Sequence, residues 1–299
     1  MVIEKVEEEE LVSNVVATIK NYVEVMKPKE TILLAFIGIC AAIVAGKGFP
    51  PSNLLLITAV AVILGSAGCN GLTNYLDREV DALMKRTKHR ALPSKRINPP
   101  EKMLPYAIGL LIIALALAWY LHPLCFLSGA LGITTAVVGR KRSITHILGG
   151  ISGSAPILVG YTAISHKLDL TIGLLCLLIL SWTPIHVWSL MTAYRDDFLQ
   201  ARVVMFPINR GIETTIRTLL ALSILLYATT IGLYFVGKFS MLYLIIANVL
   251  GILMFLSNVY LSRRRGERDA WRVYKISAYP YLGLIFLGMC LDLWLQALL

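Results

Sequence analysis

Two aspartates four residues apart, Asp77 and Asp81, stand in the stretch NGLTNYLDREVDALMKRTKHRALPS that runs from Asn70 to Ser94. On a helix at about 100° per residue, with Asn70 as zero, Asn74 falls at about +40°, Asp77 at about −20°, Asp81 at about +20° and Thr73 at about −60°. All of them share one face. Carboxylates at i and i+4 repel, and the negative end of a helix adds to the penalty. A helix that keeps both anions beside a membrane is expected to hold a cation, and oxygen-only ligands suit Mg²⁺, which completes its shell with water and substrate phosphates. The competing reading is a solvated acidic face just outside the bilayer.

A second constellation is SWTPIHVWSLMTAYRDDFLQARVVMFP, from Ser181 to Pro207. With Trp182 as zero, His186 falls at about +40°, Ser189 at about −20°, Asp196 at about −40° and Asp197 at about +60°. The histidine and both acids therefore share a stripe, behind a proline, Pro184, that opens backbone carbonyls locally. A lone histidine in a membrane span is more often a hydrogen-bonded packing residue than a ligand. A cluster of costly intramembrane polar groups, by contrast, reads as a site.

The elements that must position these groups are membrane spans. Apolar residues make up 57% of the 299 and charged residues 15%, and the mean hydropathy of +0.71 lies outside the range of soluble domains. Runs long enough to cross recur at 31–46, 54–76, 103–121, 123–139, 144–164, 170–192, 213–236, 240–261 and 276–298, the first and fourth short. The predicted fold is therefore all-α and polytopic, with nine transmembrane helices around a central cavity. Residues 1–30 are expected as an amphipathic N-terminal segment on the cytoplasmic surface, and 31–299 as a single domain. The acidic start, MVIEKVEEEE, does not resemble a cleavable signal peptide.

Of the 28 lysines and arginines, 25 fall on the side of the N-terminus and even-numbered loops and 3 on the other. That asymmetry predicts a cytoplasmic N-terminus, cytoplasmic active-site loops and an outer C-terminus. A net charge of +10 without a soluble basic domain to carry it argues against nucleic acid. Cys40, Cys69, Cys125, Cys176 and Cys290 lie in or at apolar runs and read as packing residues. Asp81 is echoed by Asp196-Asp197, and Arg140-Lys141-Arg142 by Arg263-Arg264-Arg265, at offsets of 116 and 123 residues. Such echoes suit two facing four-helix units plus a ninth helix, or chance among basic loops.

Two acidic helix ends bracketed by cations assemble into one chemistry. The carboxylates hold one or two Mg²⁺, the metal holds a diphosphate, and Lys85, Arg86, Lys88, Arg90, Arg140, Lys141 and Arg142 neutralise the remaining oxygens. An apolar cavity between helices takes an oily tail, so the substrate reads as an isoprenyl diphosphate. Loss of diphosphate leaves an allylic cation that must be kept from water. Tyr75, Tyr161, Trp182, Trp188 and Tyr194 are candidates to face it, although membrane aromatics are more often interfacial anchors. The acceptor is an electron-rich π system.

At these residues the chain resembles the UbiA superfamily of intramembrane prenyltransferases. TNYLDREVDALMKRTKHRALP lies on that superfamily's N-x-x-x-D-x-x-x-D and R-T-x-x-R-P-L, with Asp77, Asp81, Arg86, Thr87, Arg90 and Leu92 matching. The leading Asn is Thr73 here, with Asn70 or Asn74 as substitutes on the same face, and the Pro is Ala91. Asn74 thereby joins Asp77, Asp81, Asp196 and Asp197 as a metal-ligand candidate, with Asn70 and Thr73 in the cofactor-binding set beside Tyr194.

Trp182-Thr183-Pro184, His186, Trp188, Leu190, Arg195, Asp197 and Pro207 resemble the haem O synthase branch. RKRSITHILGGISGSAPILVGYT resembles another motif of that branch, with Thr135, Ile157, Ala193 and Val204 as departures. The resemblance implies a nine-helix fold, Mg²⁺, and a farnesyl, geranyl or geranylgeranyl diphosphate donor. It places the reactive acid of the second motif at Asp197 rather than Asp196, and makes His186 a candidate for haem-iron contact or proton removal. The acceptor implied is a vinyl group of haem B, with a quinone precursor or lipid alcohol as the alternative. A secondary transporter shares repeats and intramembrane acids but carries its charges near midplane. Asp169 and Asp292 read as outer interface residues. The decisive expectation is that Asp81 and Asp197 meet beside a chamber.

Overall fold

The computed structural model describes residues 2–139, 145–203 and 205–298, and every regular element among them is helical. Arg140, Lys141 and Arg142 lie outside the described residues. Helix α1 is Val2–Val25, α2 Pro28–Ala45, α3 Ser52–Leu83, α4 Met103–Leu121, α5 Pro123–Val138 and α6 Thr145–Ser165. Then follow α7 (Leu170–Ala193), the short α8 (Arg195–Gln200), α9 (Ile212–Gly237), α10 (Met241–Arg264), α11 (Glu267–Ile276) and α12 (Leu284–Leu298).

All nine apolar runs are helices. Among the described residues eight segments are long and apolar enough to cross a membrane, the last running from Glu267 through the irregular 277–283 stretch to Leu298. The ninth, α5, has 16 residues, about 24 Å of helix against a hydrocarbon core of about 30 Å. Helix α3 is the opposite case. Its 32 residues extend about 48 Å, so its last turns, which carry Asp77 and Asp81, project beyond the apolar layer.

Local chemistry sets the helix ends. Pro28 occupies the first position of α2, where a missing N–H costs nothing, and Lys27 before it is left-handed at φ 50°. Asp169 caps α7 by accepting from the Ile172 N–H at 3.3 Å, and also accepts from the Tyr161 hydroxyl at 2.9 Å. Asp292 is completely buried. It accepts from the backbone N–H groups of Ser240 (2.8 Å) and Tyr243 (3.0 Å), from the Ser240 hydroxyl and from the Gln296 amide (2.6 Å). It is therefore an internal cap on α10 rather than an interface residue, because α12 packs against the start of α10, where the unpaired N–H groups of a helix demand an acceptor.

The bundle is packed unevenly. Helices α7, α9, α10 and α12 with one face of α2 form the main core, around Tyr243, Tyr281, Phe286, Leu219 and Leu226. Helices α3 to α7 instead surround a cavity of about 440 Å³ lined by Ala61, Gly65, Ala114, Gly129, Gly132, Gly153 and their neighbours. Where α2 crosses α6 the backbones touch: a Cβ on Gly160 would lie 1.9 Å from the Gly38 carbonyl oxygen.

Candidate active site

The α3 face expected from the helical wheel points inward. Asp77, Asp81 and Asp197 are only 8%, 9% and 7% exposed, and Thr73 and Asn74 are buried with them. Asp197, from α8, accepts from the backbone N–H groups of Lys85 at 3.0 Å and Arg86 at 2.9 Å. Those two residues follow α3 directly, so acids 116 positions apart in sequence, Asp81 and Asp197, converge on one turn. The turn is tightened further because the buried Thr87 hydroxyl donates to the Asp81 carbonyl at 2.8 Å. Asp196, its neighbour on α8, is exposed and stands apart from this group. A one-residue step on a helix turns the side chain by about 100°, which separates the two carboxylates.

The cations divide in the same way. Arg90 reaches the Asp81 carboxylate at 3.4 Å. Arg86 is largely buried, its Nε has no hydrogen-bond partner among the described residues, and its guanidinium lies 5.6 Å from the centre of the Tyr194 ring. Burial, and then the neighbouring Arg90, push the Arg86 pKa down. A largely buried guanidinium whose Nε–H lacks an acceptor invites an anion. Lys85 and Lys88 are exposed at the rim.

The asparagines do structural work. Asn74 Nδ2 donates to the Val25 carbonyl at 2.6 Å, and Asn70 Nδ2 to the Met26 carbonyl at 3.4 Å and the Thr31 hydroxyl at 3.2 Å. They satisfy the carbonyls left open at the end of α1 and fasten that helix to α3. Thr73 donates into its own helix, to the Asn70 carbonyl at 3.2 Å.

A polar cavity of about 440 Å³ is lined by Asn74, Asp81, Arg90, Lys27, Lys29 and residues of the 89–96 loop. The apolar cavity ends at Asn70 and Thr73, one turn away, and Lys27 lines both. Composition counted Lys27 only as one of the cations before the first span. Its place immediately before Pro28, at a forced helix start, was the signal available. Nothing in the pattern of α11 announced Trp271 or Tyr274, which stack at 4.8 Å and continue from Tyr194.

His186 is not among the acids. Its Nδ1 lies 2.9 Å from the Ser277 hydroxyl and its ring stacks on Trp182 and Tyr274, at 4.7 and 4.4 Å. The stripe ends where α7 gives way to the separate helix α8 at Tyr194, so Asp197 meets the turn after α3, Asp196 faces solvent and His186 meets α11. Of the other aromatics, Trp188 packs on Phe206 at 4.3 Å, Tyr75 donates to Glu101 at 3.3 Å, and Tyr161 is held by Asp169 at the far end of α7.

No group of three His, Cys, Asp or Glu side chains placed to hold a metal occurs among the described residues. The donor chemistry fits Mg²⁺ nonetheless, since that ion is commonly held by one or two carboxylates with substrate phosphates completing its shell. Asp77 and Asp81 are such a pair, one turn apart and buried on the same face.

Buried acids and a largely buried arginine at one end of a membrane bundle, beside an apolar chamber, suit molecules with an anionic head and an oily tail. The profile of the UbiA prenyltransferase family matches residues 32–279. The chain belongs to that family and is a multi-pass membrane prenyltransferase. It is 36% identical over 286 residues to the protoheme IX farnesyltransferase of Desulforudis audaxviator, covering 93% of this chain and 90% of that one. The protein of the same name from Symbiobacterium thermophilum is 35% identical, covering 92% and 94%.

Among solved structures, a digeranylgeranylglyceryl phosphate synthase superposes with a TM-score of 0.77 at 18% identity, covering 92% of this chain and 98% of that one. A UbiA homologue from Archaeoglobus fulgidus bound to GPP and Mg²⁺ superposes with a TM-score of 0.65 at 14% identity, covering 90% and 99%. At such identities these two speak for the fold alone.

Proposed function

We propose that this prenyltransferase moves a farnesyl group from farnesyl diphosphate to protohaem IX, using Mg²⁺. The observation that carries the reading is Lys27, which lines both the cavity that holds Asp81 and Arg90 and the apolar cavity. A prenyl diphosphate laid across it has its head in the first and its chain in the second. The names of the relatives supply the acceptor and the farnesyl chain length.

Asp77 and Asp81, with Asp197 across the turn, would hold the metal, which when bound would shield the diphosphate and stabilise charge developing on it. Asp197 also presents the backbone of Lys85 and Arg86 at the right place for the leaving group. Arg86 and Arg90 bind the departing oxygens, and Lys27 neutralises the oxygen at the boundary where the C–O bond breaks. The apolar chamber keeps water from the allylic carbon, and the acceptor's π electrons form the new C–C bond before a proton is lost. On this reading the acidic end faces the cytosol, with the N-terminus.

Purified protein with Mg²⁺, farnesyl or geranylgeranyl diphosphate, and either haem B or hydroxylated aromatics tests this by product mass. Farnesylated haem is expected. Prenylated aromatics alone would overturn the acceptor, and turnover undiminished by EDTA the metal.

A further inference from the structure

A column of rings links the candidate site to the interior of the bundle. From the Arg86 guanidinium it runs through Tyr194 (5.6 Å), Trp271 (5.6 Å), Tyr274 (4.8 Å) and His186 (4.4 Å) to Trp182 (4.7 Å). The rings come from α7 and the residue that follows it and from α11, two elements some 80 residues apart in sequence.

Helix α11 requires an anchor there. After Ile276 the chain enters an irregular stretch, Ser277–Gly283, with Ala278 out of helical geometry at ψ −123° and Pro280 inside. Such a break frees carbonyls that a membrane interior leaves without water. Helix α7 supplies the partners: the Trp182 indole N–H donates to the Ser277 carbonyl at 2.5 Å, and His186 meets the Ser277 hydroxyl at 2.9 Å. That hydroxyl has one proton and donates it to the Tyr274 carbonyl at 2.8 Å. The same hydroxyl therefore joins the His186 ring to the Tyr274 carbonyl and ties α7 to α11.

We propose that His186 is a positioning residue for diphosphate binding: through Ser277 it latches α11 to α7, and the rings so held keep the Arg86 guanidinium against Tyr194, beside the turn on which Asp81 and Asp197 converge. The backbone of Arg86 is already fixed by Asp197. The side chain is the free variable, and the face of Tyr194, backed by Trp271 and Tyr274, restricts it. The inference rests on the assignment of Arg86 to the diphosphate.

The test is steady-state kinetics against farnesyl diphosphate on the full-length protein. His186→Ala and Ser277→Ala are each expected to raise KM for the diphosphate about tenfold while kcat moves about twofold or less. His186→Asn, which places an amide N–H near the Nδ1 position, recovers most of that loss. In an Arg86→Ala background His186→Ala adds nothing further to KM, because both act through one guanidinium. The haem absorption spectrum is unchanged by His186→Ala. An unchanged KM in both alanine variants, additive effects with Arg86→Ala, or loss of the haem spectral shift in His186→Ala would each overturn the proposal. Should His186→Ala fail to fold, Ser277→Ala decides alone. Failure of wild-type protein to bind the diphosphate at all would sink the parent reading instead, so the two failures are distinct.

Discussion

Helices α3 to α6 and helices α9, α10 and α12 are equally apolar in sequence, and the bundle treats them in opposite ways. The first set meets around glycine and alanine, leaving a cavity. The second interlocks leucine, methionine and tyrosine, with Leu226, Leu233, Tyr243, Met254 and Met289 almost fully buried. Glycine serves both, differently. Gly251 in α10 makes room for the Tyr227 ring, which would lie 2.1 Å from an added Cβ, whereas Gly65 in α3 has only the Ala114 Cβ at 3.5 Å. One glycine is filled by a neighbour and the other faces space. Small residues thus leave a chamber where no large partner is aimed at them.

Substitutions in the two halves should have different consequences. Asp81→Ala and Asp197→Ala, at the mouth of the hollow half, should each cut turnover by about 10³-fold or more, read as diphosphate release, because both remove charge from the headgroup end. Asp292→Ala, in the solid half, should leave two backbone N–H groups without their acceptor and cost about 2–4 kcal/mol in unfolding measurements, with KM unmoved.

Leu226→Ala should likewise destabilise by about 2–4 kcal/mol without altering which chain length is used. Gly65→Leu should do the reverse: little loss of stability, and about a tenfold fall in kcat/KM for farnesyl relative to a five-carbon prenyl diphosphate, since it fills the chamber. If Gly65→Leu instead unfolds the protein, the cavity is not free space and the contrast between the halves fails. The smallest effect belongs to Asp196→Asn, expected within about twofold of wild-type turnover, because that carboxylate faces solvent.

The acidic face of α3 was legible because it is a local property: Asn70, Thr73, Asn74, Asp77 and Asp81 lie within three turns of one helix, and a fixed period of 3.6 residues brings them together whatever surrounds it. The stripe on α7 was read by the same rule and divided differently. Its period held, but Asp197 went to α3 and His186 to α11, because α8 is a separate short helix after Tyr194 and the wheel does not extend across it. Asn70 and Asn74 were rightly placed on the face, yet the end of α1 claimed their amide nitrogens, a demand that no helix states about itself.

By itself the sequence determined the all-helical membrane architecture, the apolar runs, the acids and cations at their ends, and the family, since all of these follow from local period, composition and motif. Only the tertiary structure decided that Asp197 reaches back to Lys85 and Arg86, that Lys27 stands between two cavities, and that one half of the bundle is hollow. The reason is physical: whether a small residue leaves a void or admits a ring depends on what the opposing helix brings to it, and that is settled by packing between residues far apart in the chain.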